Sequence, residues 1–323
     1  MTRLLAGLVS LALAAWLVIA VVPAVGGVSW SAVGDVLAGV TWPTLVGLLV
    51  LWLAGQWCYS YVLSGSMPGL RPGQAFLITA AGSAVSNLLP FGGAAGVAVT
   101  AVMATSWGHS PRAITTSTLV SGIWNTAFRV ALPLVALAVQ GAAVLGNGAL
   151  AVIVVGVVTT LALLLPLAGP RWAGRLFGAR VLRLLLHLRL STRQVIRERW
   201  PELTGGMIAY LALQGLLFWC CLATSGAVLD LPTTVAAFAV SRLLTLAIVT
   251  PGGVGITENA TIALLVALAT PAAHAVAGVL LFSTFTYAAE IPLGALAYLA
   301  WSARNGKPPA RANADRRFRF RTR

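Results

Sequence analysis

Two stretches of the chain, residues 149–168 and 205–224, contain no charged side chain at all, and no other feature narrows the possible folds so far. Each residue of an α-helix advances about 1.5 Å, so about 20 apolar residues cross the ~30 Å hydrocarbon layer of a bilayer. Four further stretches are long and apolar enough to do the same, giving predicted spans at about 4–24, 43–64, 114–139, 149–168, 204–224 and 275–301. Composition agrees: 59% of the residues are hydrophobic and 9% charged, where a soluble domain carries about a quarter charged. The N-terminal apolar run of about 20 residues exceeds the 7–15 of a cleavable signal peptide, so it is read as the first span. The fold class expected is an all-α polytopic membrane protein.

Two regions break the pattern. Residues 75–107 are interrupted at Pro90-Phe91-Gly92-Gly93, and residues 233–270 at Pro251-Gly252-Gly253-Val254-Gly255. Proline removes a backbone donor and clashes with the preceding turn, and paired glycines weaken a helix further. Each region therefore reads as two short helices joined by broken backbone, a re-entrant hairpin of a kind tolerated at membrane depth only where it is buried in protein or lines a cavity. Pro90, Gly92, Gly93, Pro251, Gly252, Gly253 and Gly255 are the expected hinge positions. The breaks also recur at a fixed interval. Gly92 and Gly252 are 160 residues apart, as are Pro111 and Pro271, while Pro133 and Pro292 are 159 apart. This divides the chain into halves of about 1–140 and 141–303, inserted in opposite senses, with a disordered basic tail expected over 304–323. Inverted halves with paired discontinuous helices point to a transporter-like site near the midplane.

The formal net charge of +14 comes from 21 Lys+Arg against 7 Asp+Glu. Lys307 is the only lysine; this skew, with abundant Ala, Gly and Val, reads as high-GC coding and suggests a bacterial source. The basic residues lie at Arg3, Arg71, Arg112, a loop at 170–200 and the tail, whereas the loops at about 25–42, 140–148 and 225–232 contain no Lys or Arg. The positive-inside rule then places both termini in the cytoplasm of a cell-membrane protein. Basic segments flanking apolar spans suit orientation and anionic-lipid contact rather than nucleic acid. Cys58, Cys220 and Cys221 all fall in apolar stretches and suggest no disulfide framework.

Four ionisable residues lie inside the apolar segments: Arg129, Arg242, Glu258 and Glu290. Each costs about 2.5–3.5 kcal/mol at bilayer depth on insertion scales. Two arrangements offset that cost. In one, Arg129 pairs with Glu290 and Arg242 with Glu258; in the other, an arginine faces a lipid phosphate, whose oxygens match the guanidinium fork. Glu258 also stands in the first turn after the break, where a carboxylate caps a helix. Asn87, Asn125, Asn259 and Gln214 suit either inter-helix hydrogen bonds or a polar headgroup. His109, His187 and His274 fall at predicted loops or helix ends, and no metal-ligand or nucleophile motif appears. Catalysis, a cofactor and a bound metal are therefore not expected.

At Pro251-Gly252-Gly253-Val254-Gly255-Ile256-Thr257-Glu258 the chain resembles the lysylphosphatidylglycerol synthase transmembrane family, the flippase half of multiple-peptide-resistance-factor proteins and their stand-alone relatives. Ser86-Asn87-Leu88-Leu89-Pro90 falls where that family has an Asn…Pro motif, and the likeness covers about residues 1–305. Family members often carry Arg and Gly-Glu after the first-half proline; here Phe91, Gly92, Gly93, Ala94 and Ala95 follow. The resemblance implies a stand-alone member without an aminoacyltransferase domain, translocating a phospholipid, aminoacylated or polyprenyl-linked lipid between leaflets. Substrate contacts would then fall to Arg129, Arg242, Glu258, Glu290, Asn87 and Asn259. Two alternatives stand beside it: an ion-coupled carrier of a small solute using Glu258 or Glu290, and a non-transporting scaffold for a lipid-synthesising enzyme. The oligomeric state is left open.

Overall fold

A computed structural model describes residues 12–13, 15–89, 92–140, 179–246 and 253–305. The expected span at 149–168, the hinge residues Pro90, Pro251 and Gly252, and the tail beyond Asn305 lie outside the described residues. Among those described the secondary structure is helical, without strands. Four helices are long and apolar enough to cross a bilayer, and a fifth crossing results if one sharply bent pair is taken together.

That bent pair is α1 (Leu17–Gly26) and α2 (Trp30–Ala38), which meet at 92°. Gly27 makes the corner at φ +64°, a conformation disfavoured for any side-chain-bearing residue. The Trp30 indole then donates to the Ile19 carbonyl at 3.0 Å, folding α2 back on α1. The segment at 25–42, expected as a loop, is thus largely helical. A nine-residue helix with one buried side chain, Val33, carries too little periodicity to stand out in sequence.

α3 (Trp42–Ser66) opens with Pro43 in its first turn, where the missing N–H costs nothing. At 25 residues it is about 37 Å long and crosses unaided. α4 (Pro72–Leu88) and α5 (Gly92–Ser106) have 17 and 15 residues, about 25 and 22 Å. Glycines let them lie against one another: a Cβ on Gly96 would sit 2.7 Å from the Gly82 carbonyl oxygen, and one on Gly92 would sit 2.2 Å from that of Ser86. Their outer ends stay together, with His109 packed on Gly69. This is a hairpin that enters and leaves by one end of the molecule.

α6 (Pro111–Gln140) and α7 (Ala179–Thr224) follow as long helices with internal prolines, Pro133 and Pro201. α7 has 46 residues and is about 69 Å long, more than twice the hydrocarbon layer. The segment expected as a basic loop at 170–200 is therefore helical from Ala179 onward. Leu188, Thr192 and Val195, spaced four and three apart, are buried against the body, so this stalk is an amphipathic helix with Arg189, Arg193 and Arg197 exposed.

The second hairpin is α8 (Leu231–Leu244) and α9 (Ile256–Ala267), about 21 and 18 Å long. Gly253 and Gly255, at φ +81° and +85°, shape the backbone before α9. α10 (Ala272–Asn305) crosses in one piece containing a π-helical turn at Thr284–Ala288. Its first turn is tied to the end of α7, where Ser225 Oγ donates to the His274 carbonyl at 2.9 Å. Its last turns reach the mouth of the first hairpin, where the Trp301 indole donates to Ser106 at 3.0 Å. The two hairpins therefore open toward opposite ends of α10.

Aromatic and aliphatic side chains bind the centre. Phe218, Phe238 and Phe282 form a mutual cluster with centroids 5.2–6.5 Å apart. The outer surface is apolar as well: Trp42, Ile19 and Leu296 are 75%, 65% and 64% exposed, which suits lipid rather than water.

Candidate functional site

Inside this apolar body lies one cavity with the opposite character. It has a volume of about 230 Å³, and every described residue on its wall carries a polar side-chain group. α3 supplies Gln56 and Tyr59; α4 supplies Thr79, Ser83 and Asn87; α6 supplies Asn125 and Arg129. Tyr210 and Gln214 come from α7, Arg242 from α8 with Thr245 just beyond it, and Thr286, Tyr287 and Glu290 from α10. Gln56, Arg129 and Glu290 sit near the middles of their helices, so the cavity lies at about half depth. Asn87 is in the last turn of α4 and Thr245 follows the last turn of α8. The inner ends of both hairpins thus meet here.

Glu290 is held by amides rather than by a cation. Gln56 Nε2 donates to one of its carboxylate oxygens and Asn87 Nδ2 to the other, each at 2.9 Å. The π turn immediately before it adds a residue to the helical repeat and resets the direction of the helix face at this point. Arg129 Nη1 donates to Thr245 Oγ1 at 2.6 Å, and that hydroxyl donates to the Arg242 carbonyl at 2.5 Å. A short chain of hydrogen bonds so links α6 to the tip of α8.

Arg242 is only 6% exposed. Its guanidinium lies 4.9 Å from the Phe282 ring centroid and 5.6 Å from that of Phe238, and such contacts favour a desolvated cation by about 2 kcal/mol. Among the described residues its Nε has no hydrogen-bond partner, and its Nη2 reaches only Ser241 Oγ at 3.4 Å. Neither Arg129 nor Arg242 forms an ion pair; among the described residues the one ion pair is Arg199–Glu202 at 2.7 Å, on the surface. The pairing of Arg129 with Glu290 and of Arg242 with Glu258 is therefore not the arrangement observed. Asn125 Oδ1, Gln214 Oε1 and Thr79 Oγ1 on the same wall are also buried without partners, leaving hydrogen-bonding capacity unspent on the protein.

Glu258 and Asn259 lie elsewhere. Glu258 accepts from the Gly255 N–H at 2.5 Å and from Ser283 Oγ at 2.8 Å, fastening the start of α9 to α10. Asn259 Nδ2 donates to the carbonyls of Gly255, at 2.6 Å, and Leu17, at 3.1 Å. Both residues hold helices together and neither lines the cavity. Of the hinge positions, Gly92 and Gly255 make close approaches, whereas Gly93 has open space around it.

A second surface adjoins the cavity. A groove between α6, α7 and α8 is lined by Phe128, Leu132, Leu211, Leu216, Trp219, Val235, Phe238 and similar side chains, with Thr234 the one hydroxyl among its described residues. Phe128 precedes Arg129 in sequence, and Phe238 is one of the rings against which Arg242 lies. Polar cavity and apolar groove so share a wall. Four of the expected residues, Asn87, Arg129, Arg242 and Glu290, converge here. Asn125 and Gln214 join them, whereas Gln56, Tyr59, Thr79, Ser83, Tyr210, Thr245, Thr286 and Tyr287 were not singled out in sequence. Gln56 carried a usable signal as a lone amide within a charge-free span; the hydroxyls carried none, because serine, threonine and tyrosine recur throughout the spans.

The family model described as the lysylphosphatidylglycerol synthase TM region matches residues 4–294, most of the chain. The protein belongs to that family. Comparison with curated proteins gives no match. Membership makes this a membrane protein related to lipid handling, and the cavity and groove are features of this member's own helices.

Proposed function

We propose that the protein moves a lipid between leaflets, its headgroup passing through the polar cavity while its chains remain in the apolar groove. The observation that carries this reading is the shared wall at Arg242. A buried guanidinium without a carboxylate costs several kcal/mol, and a phosphate oxygen offsets that cost with charge-assisted hydrogen bonds. The same side chain leans on Phe238, which lines the groove, so one amphipathic molecule can satisfy both surfaces. A small soluble solute would use the cavity but leave the groove without a role. Glu290, with its oxygens already engaged by neutral amides, leaves the arginines free to receive the anionic group. No covalent chemistry is assigned to the site. In this reading the lipid is the partner, and the basic end of the molecule faces the cytoplasm of the cell membrane.

Purified protein in liposomes containing fluorescent phosphatidylglycerol tests it, with chemical quenching reporting the lipid in the outer leaflet. Wild-type protein is expected to make inner-leaflet lipid accessible, and Arg242→Gln to slow this at least about tenfold, as for loss of one charged hydrogen bond. Glu258→Gln should slow it far less. Equal rates for wild type, Arg242→Gln and empty liposomes would sink the proposal.

A further inference from the structure

A larger cavity, of about 700 Å³, lies outside the midplane site, between the stalk of α7, the end of α3 and the start of α6. Arg183, His187 and Ser191 face it from the stalk at intervals of four, one face of a helix. Arg112 enters from the first turn of α6, and Thr116 one turn further on; Ser66 closes the side at the end of α3. No carboxylate is among the described residues that line it. The nearest acids along the stalk are engaged elsewhere: Glu198 accepts from Gln194 at 3.0 Å and Glu202 pairs with Arg199.

Three observations point to an anion. Arg112, Arg183 and His187 form no ion pair or hydrogen bond among the described residues. Thr116 is 6% exposed, and its hydroxyl likewise bonds to no described residue. Arg112 also stands at the positive end of a 30-residue helix, where a cation is unfavourable and a bound anion is favoured. Other stalk arginines, Arg189 and Arg193, are exposed and do not line the cavity. Arg112, Arg183 and His187 are exposed too, and they differ from the other two in lining the cavity together.

We propose that this cavity is a second, independent phosphate-binding site, taking the phosphodiester headgroup of an anionic lipid at the basic end of the molecule. Two guanidiniums offer paired donors to phosphate oxygens, with the imidazole and the Thr116 hydroxyl completing the ring of donors. Basic pockets between helices at the membrane surface are suited to such headgroups. The site stands apart from the midplane cavity, and its failure would leave the translocation proposal untouched.

Native mass spectrometry of the delipidated full chain in neutral detergent, titrated with dioleoyl phosphatidylglycerol, tests it. Arg112→Gln/Arg183→Gln is expected to weaken the tightest-bound lipid at least about tenfold. Arg189→Gln/Arg193→Gln, which removes the same number of charges, both from the stalk that carries Arg183, should change it less than about twofold, and Arg242→Gln should retain it. If the first double variant folds poorly, Arg183→Gln alone, on the exposed stalk, should still weaken binding. Competition by inorganic phosphate would mean that the phosphate group alone is recognised; none would mean that the lipid's remaining parts are needed as well. Equal loss in both double variants, or loss in neither, overturns the proposal.

Discussion

At the scale of single residues, the positions with least tolerance are glycines at helix contacts. A Cβ on Gly294 would stand 2.3 Å from Ala84 Cβ and 2.4 Å from the Ala80 carbonyl oxygen, so α10 and α4 touch at the backbone. Gly294→Ala should force them apart and destabilise the fold by about 1–3 kcal/mol, read as a lower Tm in detergent. Gly93→Ala, with nothing within 4 Å of its Cβ, should leave Tm unchanged or slightly raised, since alanine favours a helix by up to about 1 kcal/mol. Sequence spacing marked Gly92 and Gly93 as equivalent; geometry separates them, because clearance depends on the neighbouring helix and not on the residue. The same holds in the cavity. Arg129, Arg242 and Glu290 were legible because an ionisable group within an apolar span is conspicuous. Tyr59, Thr79 and Thr286 were not, because their convergence from three helices is a tertiary fact.

At the scale of elements, the long spans were legible within a few residues: 43–64 became Trp42–Ser66, and 114–139 became Pro111–Gln140. Helices end at Leu88 and Leu244 and restart at Gly92 and Ile256, on either side of the two expected breaks, whose prolines lie outside the described residues. The stalk was misread because its charge density hides a buried stripe of only three residues, Leu188, Thr192 and Val195. The Glu258 carboxylate belongs to this scale, as the fastening of α9. Glu258→Ala removes the acceptor for both Gly255 N–H and Ser283 Oγ and should cost about 1–3 kcal/mol. Thermal unfolding checks this, and Ser283→Ala, which frees only one partner, should cost less. A drop in transport with unchanged Tm would instead place Glu258 in the substrate path.

For the whole molecule, sidedness is the property to test. The first hairpin's mouth, the start of α6, the stalk and the last turn of α10 gather at one end, with Arg71, Arg112, Arg183 and Arg304 among them. Val228, 86% exposed, belongs to the other end, where α7 passes to α8. In a background lacking Cys58, Cys220 and Cys221, His109→Cys and Val228→Cys should label with a membrane-impermeant maleimide from opposite faces, Val228→Cys from outside the cell. Labelling of both from the same face would refute the arrangement.

The length of α7 has a mechanical consequence. The helix runs for about 69 Å, and Pro201, which removes one i→i−4 hydrogen bond, is the point where it can bend. Its stalk carries Arg183 and His187, Pro201 lies at its middle, and Tyr210, Gln214 and Trp219 follow along the other half. The basic end is thus joined to the cavity wall and the groove by one helix with a bendable turn at Pro201. The interrupted hairpins have no such continuity, so the strut sets the frame and the broken helices are the parts free to yield.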